Sequence, residues 1–301
     1  MCIRDRDAKI RYGGIEDPRY ISRVLGQWAW DGGAGLFPEE VLARSMRAHV
    51  IPDPESPRTR YGVDVARSGV DSTQVYECQE GWVWETDPET DELIANTGVR
   101  GLRVRYIDSW TKVPVTSNDP DNPGTAERLD KLARENSVAL VNIDAGGGLG
   151  VGVFDGIANL WRSQYPVQPT YDVYPVYGND QNVDKRAFIN LRAFMFSELK
   201  RRMAAGELDL DPKDVDLFDE LRGIRAKIIN GSALQIESKE DMRKRGVKSP
   251  DRADALWYAF YDSITVSTGI AAGTVVTAEP EEFIGSDGFF HGAGGISSIG
   301  W

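Results

Sequence analysis

Histidine and cysteine are nearly missing from this 301-residue chain, with two of each. His49 and His291 lie far apart, and Cys2 and Cys78 do not have the spacing of a thiolate metal site. That argues against imidazole or thiolate metal chemistry, a histidine-activated nucleophile and a disulfide framework, and it fits a reducing compartment. Net positive charge is missing as well. The formal charge of -12 argues against passive coating of nucleic acid, which needs clustered Lys and Arg. It leaves room for an enzyme that gathers carboxylates and keeps its basic residues local. The tail stretch from Ile264 to Ala278 is interrupted by Ser, Thr and Gly and is too short to span a bilayer. There is no signal-peptide pattern and no Gly-x-x-x-x-Gly-Lys-Ser/Thr phosphate loop.

What is present suffices for a sizeable core: 41% hydrophobic and 27% charged residues. The opening Met-Cys-Ile-Arg-Asp-Arg has neither helix cap nor strand alternation and reads as the interior of a longer gene. Phe37 to Met46 reads as a short helix with Pro38 near its start. Residues 51–60, with three prolines, read as a linker. Three strands follow, over Tyr61 to Ala66, Thr73 to Cys78 and Leu102 to Trp110, with an acidic loop tip from Asp87 to Thr97. Then come a helix over Gly124 to Asn136, a strand from Val138 to Ile143 ending in Asp144, a glycine cluster, and a helix carrying Val153, Ile157, Leu160 and Trp161. A strand over Tyr171 to Tyr177, helices over Arg186 to Ala205 and Val215 to Leu221, a strand over Ala233 to Ile236 and a last helix from Asp251 complete the order. An antiparallel meander joined to β-α-β crossovers predicts an α/β fold, a mixed sheet flanked by helices. Residues from about 265 read as a flexible tail.

Three acids stand in unusual settings. Asp64 lies inside an apolar strand, Asp144 ends another, and Asp254 sits on an apolar helix one turn after Asp251. Each alone is most simply a turn former or cap; Asp71 and Asp155 are read as a turn and a helix-surface residue. Buried acids are costly unless paired or bound to metal. Together, at one end of a mixed sheet, they could hold two divalent cations about 4 Å apart. Carboxylates and water suit Mg²⁺ and Mn²⁺.

The settings also carry a resemblance. Gly62-Val63-Asp64-Val65-Ala66-Arg67-Ser68-Gly69-Val70-Asp71-Ser72-Thr73 resembles the first nuclease motif of tailed-phage terminase large subunits. Ile143-Asp144-Ala145-Gly146-Gly147-Gly148-Leu149-Gly150 resembles their second. The run from Glu237 to Leu256 is similar to their C-terminal signature and is the most specific of the three. Tyr20 to Trp28 resembles the stretch that follows the packaging ATPase. The likeness spans roughly residues 15 to 264. It implies an RNase H-like nuclease domain over residues 56–264, preceded by the end of an ATPase domain and a linker (1–55) and followed by the tail (265–301). It implies catalytic acids Asp64, Asp144 and Asp254, with Asp251 as a further metal ligand, two Mg²⁺ or Mn²⁺ ions, and double-stranded DNA as substrate. Portal protein and terminase small subunit are the implied partners, and the host cytoplasm the setting. Lacking the phosphate loop, this chain is not expected to hydrolyse ATP.

The glycines after Asp144 have two readings, a phosphate cradle before a helix or a tight turn beside the acids. Nine basic residues lie between Arg222 and Arg252; of these Arg243, Lys244, Arg245 and Lys248 are the expected DNA contacts, the alternative being a solvated surface. Three other functions compete. An actin-like or sugar-kinase ATPase would need a second phosphate-binding hairpin where Asp144 is followed by a helix. A resolvase or transposase would share the chemistry. A module that kept the fold and lost the activity would share the structure.

Overall fold

The elements form where local patterning and capping agree. The computed structural model describes residues 35–261, apart from 56–57, 67–70, 88, 91, 165–169, 182 and 230–231. The Tyr20 to Trp28 stretch, the Gly69 turn and the tail from 265 lie outside the described residues. The described chain runs α1 (Glu39–Met46), β1 (His49–Pro52), β2 (Thr59–Asp64), β3 (Thr73–Thr86), β4 (Leu93–Trp110), α2 (Thr125–Glu135), β5 (Leu140–Asp144), α3 (Leu149–Gln164) and β6 (Asp172–Val176). It continues with α4 (Leu191–Ala205), β7 (Leu208–Leu210), α5 (Val215–Gly223), β8 (Ala226–Ile229), β9 (Ala233–Ile236), α6 (Lys239–Lys244) and α7 (Asp251–Ala259).

Seven strands make one mixed sheet in the order β6-β5-β2-β3-β4-β7, with β1 also on β3. β2, β3 and β4 form the antiparallel meander. β5 and β6 add to β2 in parallel, and β7 adds in parallel to β4. This is the RNase H-like arrangement that the motif order implies. Strand β1 lines up behind β2 on the same neighbour, since Pro52 is opposite Gly81 and Thr59 opposite Gln79.

Several boundaries differ from the sequence reading. The stretch read as a linker contains β1, and α1 packs against α4 and β7. β3 and β4 run on past the expected ends into one long hairpin, so the loop tip shrinks to residues 87–92, turned by Asp87 accepting from the amides of Glu89 and Thr90. Helix α4 starts only at Leu191, because the Asn190 side chain caps it by accepting from Ala193 N at 3.0 Å. Its end is set by Gly206 in the left-handed region, φ +74°. Strands β7 and β8 and helix α6 have no counterpart in the sequence reading.

Alternation decides which helices meet which face. Tyr61, Val63, Val141 and Ile143 pack with Leu129 and Ala133 of α2 and Val153 and Ile157 of α3. The intervening Gly62 and Asn142 therefore face the other side, where α7 lies. A Cβ on Gly62 would stand 2.0 Å from Ala259 N and 2.3 Å from Ala255 O, both backbone atoms. Only glycine lets the helix lie this close to the strand. Gly62→Ala is expected to lower unfolding free energy by about 1–3 kcal/mol, the usual cost of overpacking, measured as a fall in the urea midpoint at unchanged slope.

Candidate active site

The same alternation that turns Gly62 toward α7 turns Asp64 toward it, and what holds for Asn142 holds for Asp144. Since β2 and β5 are parallel and Val63 is opposite Ile143, the two aspartates end adjacent strands side by side. Asn142 Nδ2 donates to the Tyr258 carbonyl at 2.8 Å, and the Tyr258 hydroxyl donates to the Asp144 carboxylate. Asp254, in the first turn of α7, is almost fully buried, as is Asp64.

Lys239, at the start of α6, binds these acids together. Its Nζ lies 2.9 Å from Asp64 Oδ2, 3.1 Å from Asp254 Oδ2 and 3.3 Å from Asp251 Oδ1. Three oxygens within that reach of one nitrogen are no more than about 7 Å apart, compatible with paired cations about 4 Å apart. Asp254 Oδ1 also accepts from Arg192 Nε at 2.9 Å and Trp257 Nε1 at 3.1 Å. The structure thus brings Asp64, Asp251 and Asp254 onto one cation, with Asp144 close enough for Lys239 and Asp254 both to shift its titration.

The electrostatics follow from burial and from crowding of like charges. Burial raises the Asp64 carboxyl well above the ordinary value; Lys239 opposes this, while Asp254, Asp144 and Asp251 add to it. Asp144 is raised by burial against the hydrogen bonds from Tyr258 and Gly146 N. Burial pushes Asp254 up too, but Arg192 and Lys239 outweigh it, so its carboxyl lies below the ordinary value. For Lys239 desolvation works downward, yet Asp64, Asp254 and Asp251 hold it well above the usual lysine range. Burial also raises nearby Glu220, to about 8.

The glycine cluster forms a tight turn. Gly146 N donates to Asp144 Oδ1 at 2.8 Å. Gly147 and Gly148 have φ of +100° and +90°, which an L side chain rarely adopts. A Cβ on Gly150 would stand 1.7 Å from the Asp144 carbonyl oxygen. Helix α3 follows directly, with no second hairpin.

Among the described residues no three acidic, histidine or cysteine side chains already have the spacing of a metal cage; the Lys239 ammonium stands between three of the acids. The donors around it are all carboxylate oxygens, the hard set that Mg²⁺ and Mn²⁺ take. In donor chemistry the residues fit such ions.

The basic run is less free than its sequence suggests. Arg243 pairs with Asp71 at 3.3 Å, and Lys244 with Glu240 at 3.1 Å and Asp241 at 3.3 Å. Arg245 binds Glu237 at 2.5 Å and the Gly223 carbonyl at 2.9 Å. Lys248 is exposed, with no ion pair to it among the described residues. Of the other basic residues in the stretch, Arg222 pairs with Glu39 and Asp219, and Arg252 with Asp214 and Asp216. Asp155 is exposed on α3, as expected.

Sequence reasoning missed Lys239 as a site residue, along with Arg192, Tyr258 and Glu220. Lys239 had a signal. Ser238 and Asp241 have the spacing of a capping box, and Ser238 Oγ accepts from Asp241 N at 3.0 Å, which makes Lys239 the first residue of a helix.

No family model matches the chain, and no curated protein matches it. Among solved structures it is similar to the nuclease domain of the large terminase subunit gp2 of bacterial virus Sf6, at 17% identity over 75% of this chain and 97% of that one, with a TM-score of 0.47. It is also similar to the large terminase nuclease from thermophilic phage G20c, at 15% identity over 76% and 98%, TM-score 0.45. A third is a large terminase from another thermophilic bacteriophage, at 11% identity over 86% and 50%, TM-score 0.42.

The raised carboxyls give a pH test. Asp64, Asp144 and Glu220 are raised in the folded chain, so between their unfolded and folded values the native state holds protons that the unfolded state has lost. Their contribution is present below the unfolded values and disappears as pH rises through the folded ones. Asp254 acts oppositely, but only as pH falls below the ordinary carboxylate value. Metal-free protein is therefore expected to lose stability from about pH 5 to pH 8, on the order of 1.4 kcal/mol per unit of raised pKa. At pH 8, millimolar Mn²⁺ is expected to raise the melting temperature again. Calorimetry checks both; a flat profile without metal would contradict the assignment.

Proposed function

We propose that this chain is the nuclease part of a phage terminase large subunit, a metal-dependent endonuclease that cuts double-stranded viral DNA during packaging. The observation that carries this reading is the gathering of Asp64, Asp251 and Asp254 within 3.3 Å of one ammonium, beside Asp144, by elements far apart in the chain. The three motifs that resemble terminases are the segments that supply these acids.

When bound, two Mg²⁺ or Mn²⁺ ions would supply Lewis acidity and an activated water. Asp64 and Asp144, fixed at the ends of paired strands, would be the rigid ligands. Asp254, oriented by Arg192 and Trp257, would be the third, with Asp251, more exposed at the helix start, as a further one. Tyr258 and Gly146 N hold the Asp144 carboxylate in place. Lys239 carries its charge on a flexible stem and balances the acids until a cation displaces it.

The basic face follows from the same reading. The pairs of Arg243 and Lys244 are solvent-exposed, and exposed pairs are weak, so phosphates can replace the carboxylates at little cost. Arg245, tied to Glu237 and a backbone carbonyl, is the weakest of the four candidates. Lys248 is the readiest. As part of a packaging motor the chain would act in the host cytoplasm with portal protein and small subunit. A resolvase would use the same acids; the C-terminal run favours the terminase. An actin-like ATPase is disfavoured by the helix that follows Asp144.

Asp64→Asn and Asp144→Asn are expected to reduce Mn²⁺-dependent cutting of linear double-stranded DNA to background with the fold intact by circular dichroism, and EDTA is expected to stop the parent. Undiminished cutting by Asp64→Asn would remove the mechanism. Charge reversal at Arg243, Lys244 and Lys248 together is expected to weaken DNA binding equally across sequences and to flatten its salt dependence by about one unit per lost phosphate contact. Binding measured against salt checks this, and an unchanged slope would move the DNA path elsewhere.

A further inference from the structure

Helix α7 begins without a cap of its own. The N-cap residue is Pro250, which offers no side-chain hydrogen bond. The second and third helical residues are Arg252 and Ala253, whose N–H groups an N-cap side chain would normally satisfy. Both instead find Glu220, on the neighbouring helix α5. Its Oε2 accepts from Ala253 N at 3.0 Å, and its carboxyl also accepts from Arg252 N. The strap runs the other way too. Arg252 Nη1 lies 2.5 Å from Asp214 Oδ1, and Asp214 itself caps α5 by accepting from Leu217 N. Glu220 of α5 thus holds the start of α7, and Arg252 of α7 holds the residue that caps α5.

This first turn of α7 carries Asp251 and Asp254. We infer that Glu220 is a positioning residue for the acid cluster: its carboxyl replaces the N-cap side chain that α7 lacks and fixes the turn from which Asp251 and Asp254 reach Lys239. The hydrogen bonds that Glu220 accepts come from backbone amides, so it acts through hydrogen-bond acceptance and not as a ligand. The inference rests on the metal-dependent reading for its consequence, while the capping geometry stands apart from that reading.

Two measurements on the full chain separate the two. The first is amide hydrogen exchange at Arg252 and Ala253 without metal. The second is Mn²⁺ binding by electron paramagnetic resonance. Glu220→Met keeps the bulk and removes the acceptors, and Glu220→Gln keeps a carbonyl acceptor and removes the charge. Glu220→Met is expected to speed exchange at both amides and to weaken Mn²⁺ binding about 10- to 100-fold, the range for residues that orient ligands. Glu220→Gln is expected to stay close to the parent in both. Unchanged exchange in Glu220→Met overturns the proposal, as does a Glu220→Gln variant that loses as much Mn²⁺ affinity as Glu220→Met, since charge would then be the operative property. If the parent binds no Mn²⁺, the metal reading fails while the exchange measurement still decides the cap. If Glu220→Met does not fold, exchange and binding in Glu220→Gln and Glu220→Ala decide.

Discussion

Four carboxyl groups meet at one end of the sheet, and like charges at such distances cost about 1–4 kcal/mol per pair at 4 Å, depending on how much water remains between them. Two of them, Asp64 and Asp254, are almost without contact with solvent. The arrangement is tenable because α4 and α6 each deliver a cation, Arg192 from one and Lys239 from the other. The two cations do different work. Arg192 approaches Asp254 with a planar guanidinium and reaches the Glu237 carbonyl at 3.1 Å, so it is fixed in place. Lys239 meets three carboxylates at the end of a flexible stem, with a third of its side chain exposed. One is built in; on the proposed reading the other would give way to a bound cation.

The second constraint is distance. Acids on a strand and acids on a helix can share a cation only if the helix lies directly on the strand. Gly62 makes this possible, and the Asn142 bond to the Tyr258 carbonyl fixes the helix along its length. Removing a side chain two residues before Asp64 is thus what brings Asp254 within reach of it. The far side of β2 has the opposite requirement. There Tyr61 and Val63 fill the core under α2 and α3, and burial of that apolar area stabilises the strand that the acids destabilise.

How much of this could be read from residues alone varied with the range of the interaction. The mixed sheet was legible because alternation and apolar runs are local signals, and because Asp64 and Asp144 interrupt them visibly. Strand ends were less legible: β3 and β4 continue through polar residues because each pairs with the other, which no window along one strand can reveal. β7 is three residues long and exists because β4 offers it an edge. In the site, carboxylates announced themselves by their cost in apolar surroundings, whereas Lys239 looked like one more member of a basic run. Its role depends on where α6 lies relative to β2 and α7, a matter of packing. Glu220 gave no signal, since a side chain that caps another helix leaves no spacing pattern in its own. The pairing of the basic run was hidden for the same reason: it has no acid within it, yet Asp71 and Glu237 lie against it in the fold.

A chain of net charge -12 that acts on DNA must avoid repelling it where they meet. On the proposed reading, much of the repulsion would come from the site itself. Acids facing an incoming backbone would oppose it, and Lys239 and Arg192 offset only part of their charge. Two divalent ions would contribute four positive charges to the same place and release Lys239 from its carboxylates. The local sign would then change at the point where a phosphate has to be held, with the run from Arg243 to Lys248 adjoining it along the chain. By linkage, what metal does for DNA affinity DNA must do for metal affinity. An acidic protein can therefore present a DNA-binding face that exists only when the site is loaded, and the overall charge ceases to argue against a nucleic-acid substrate.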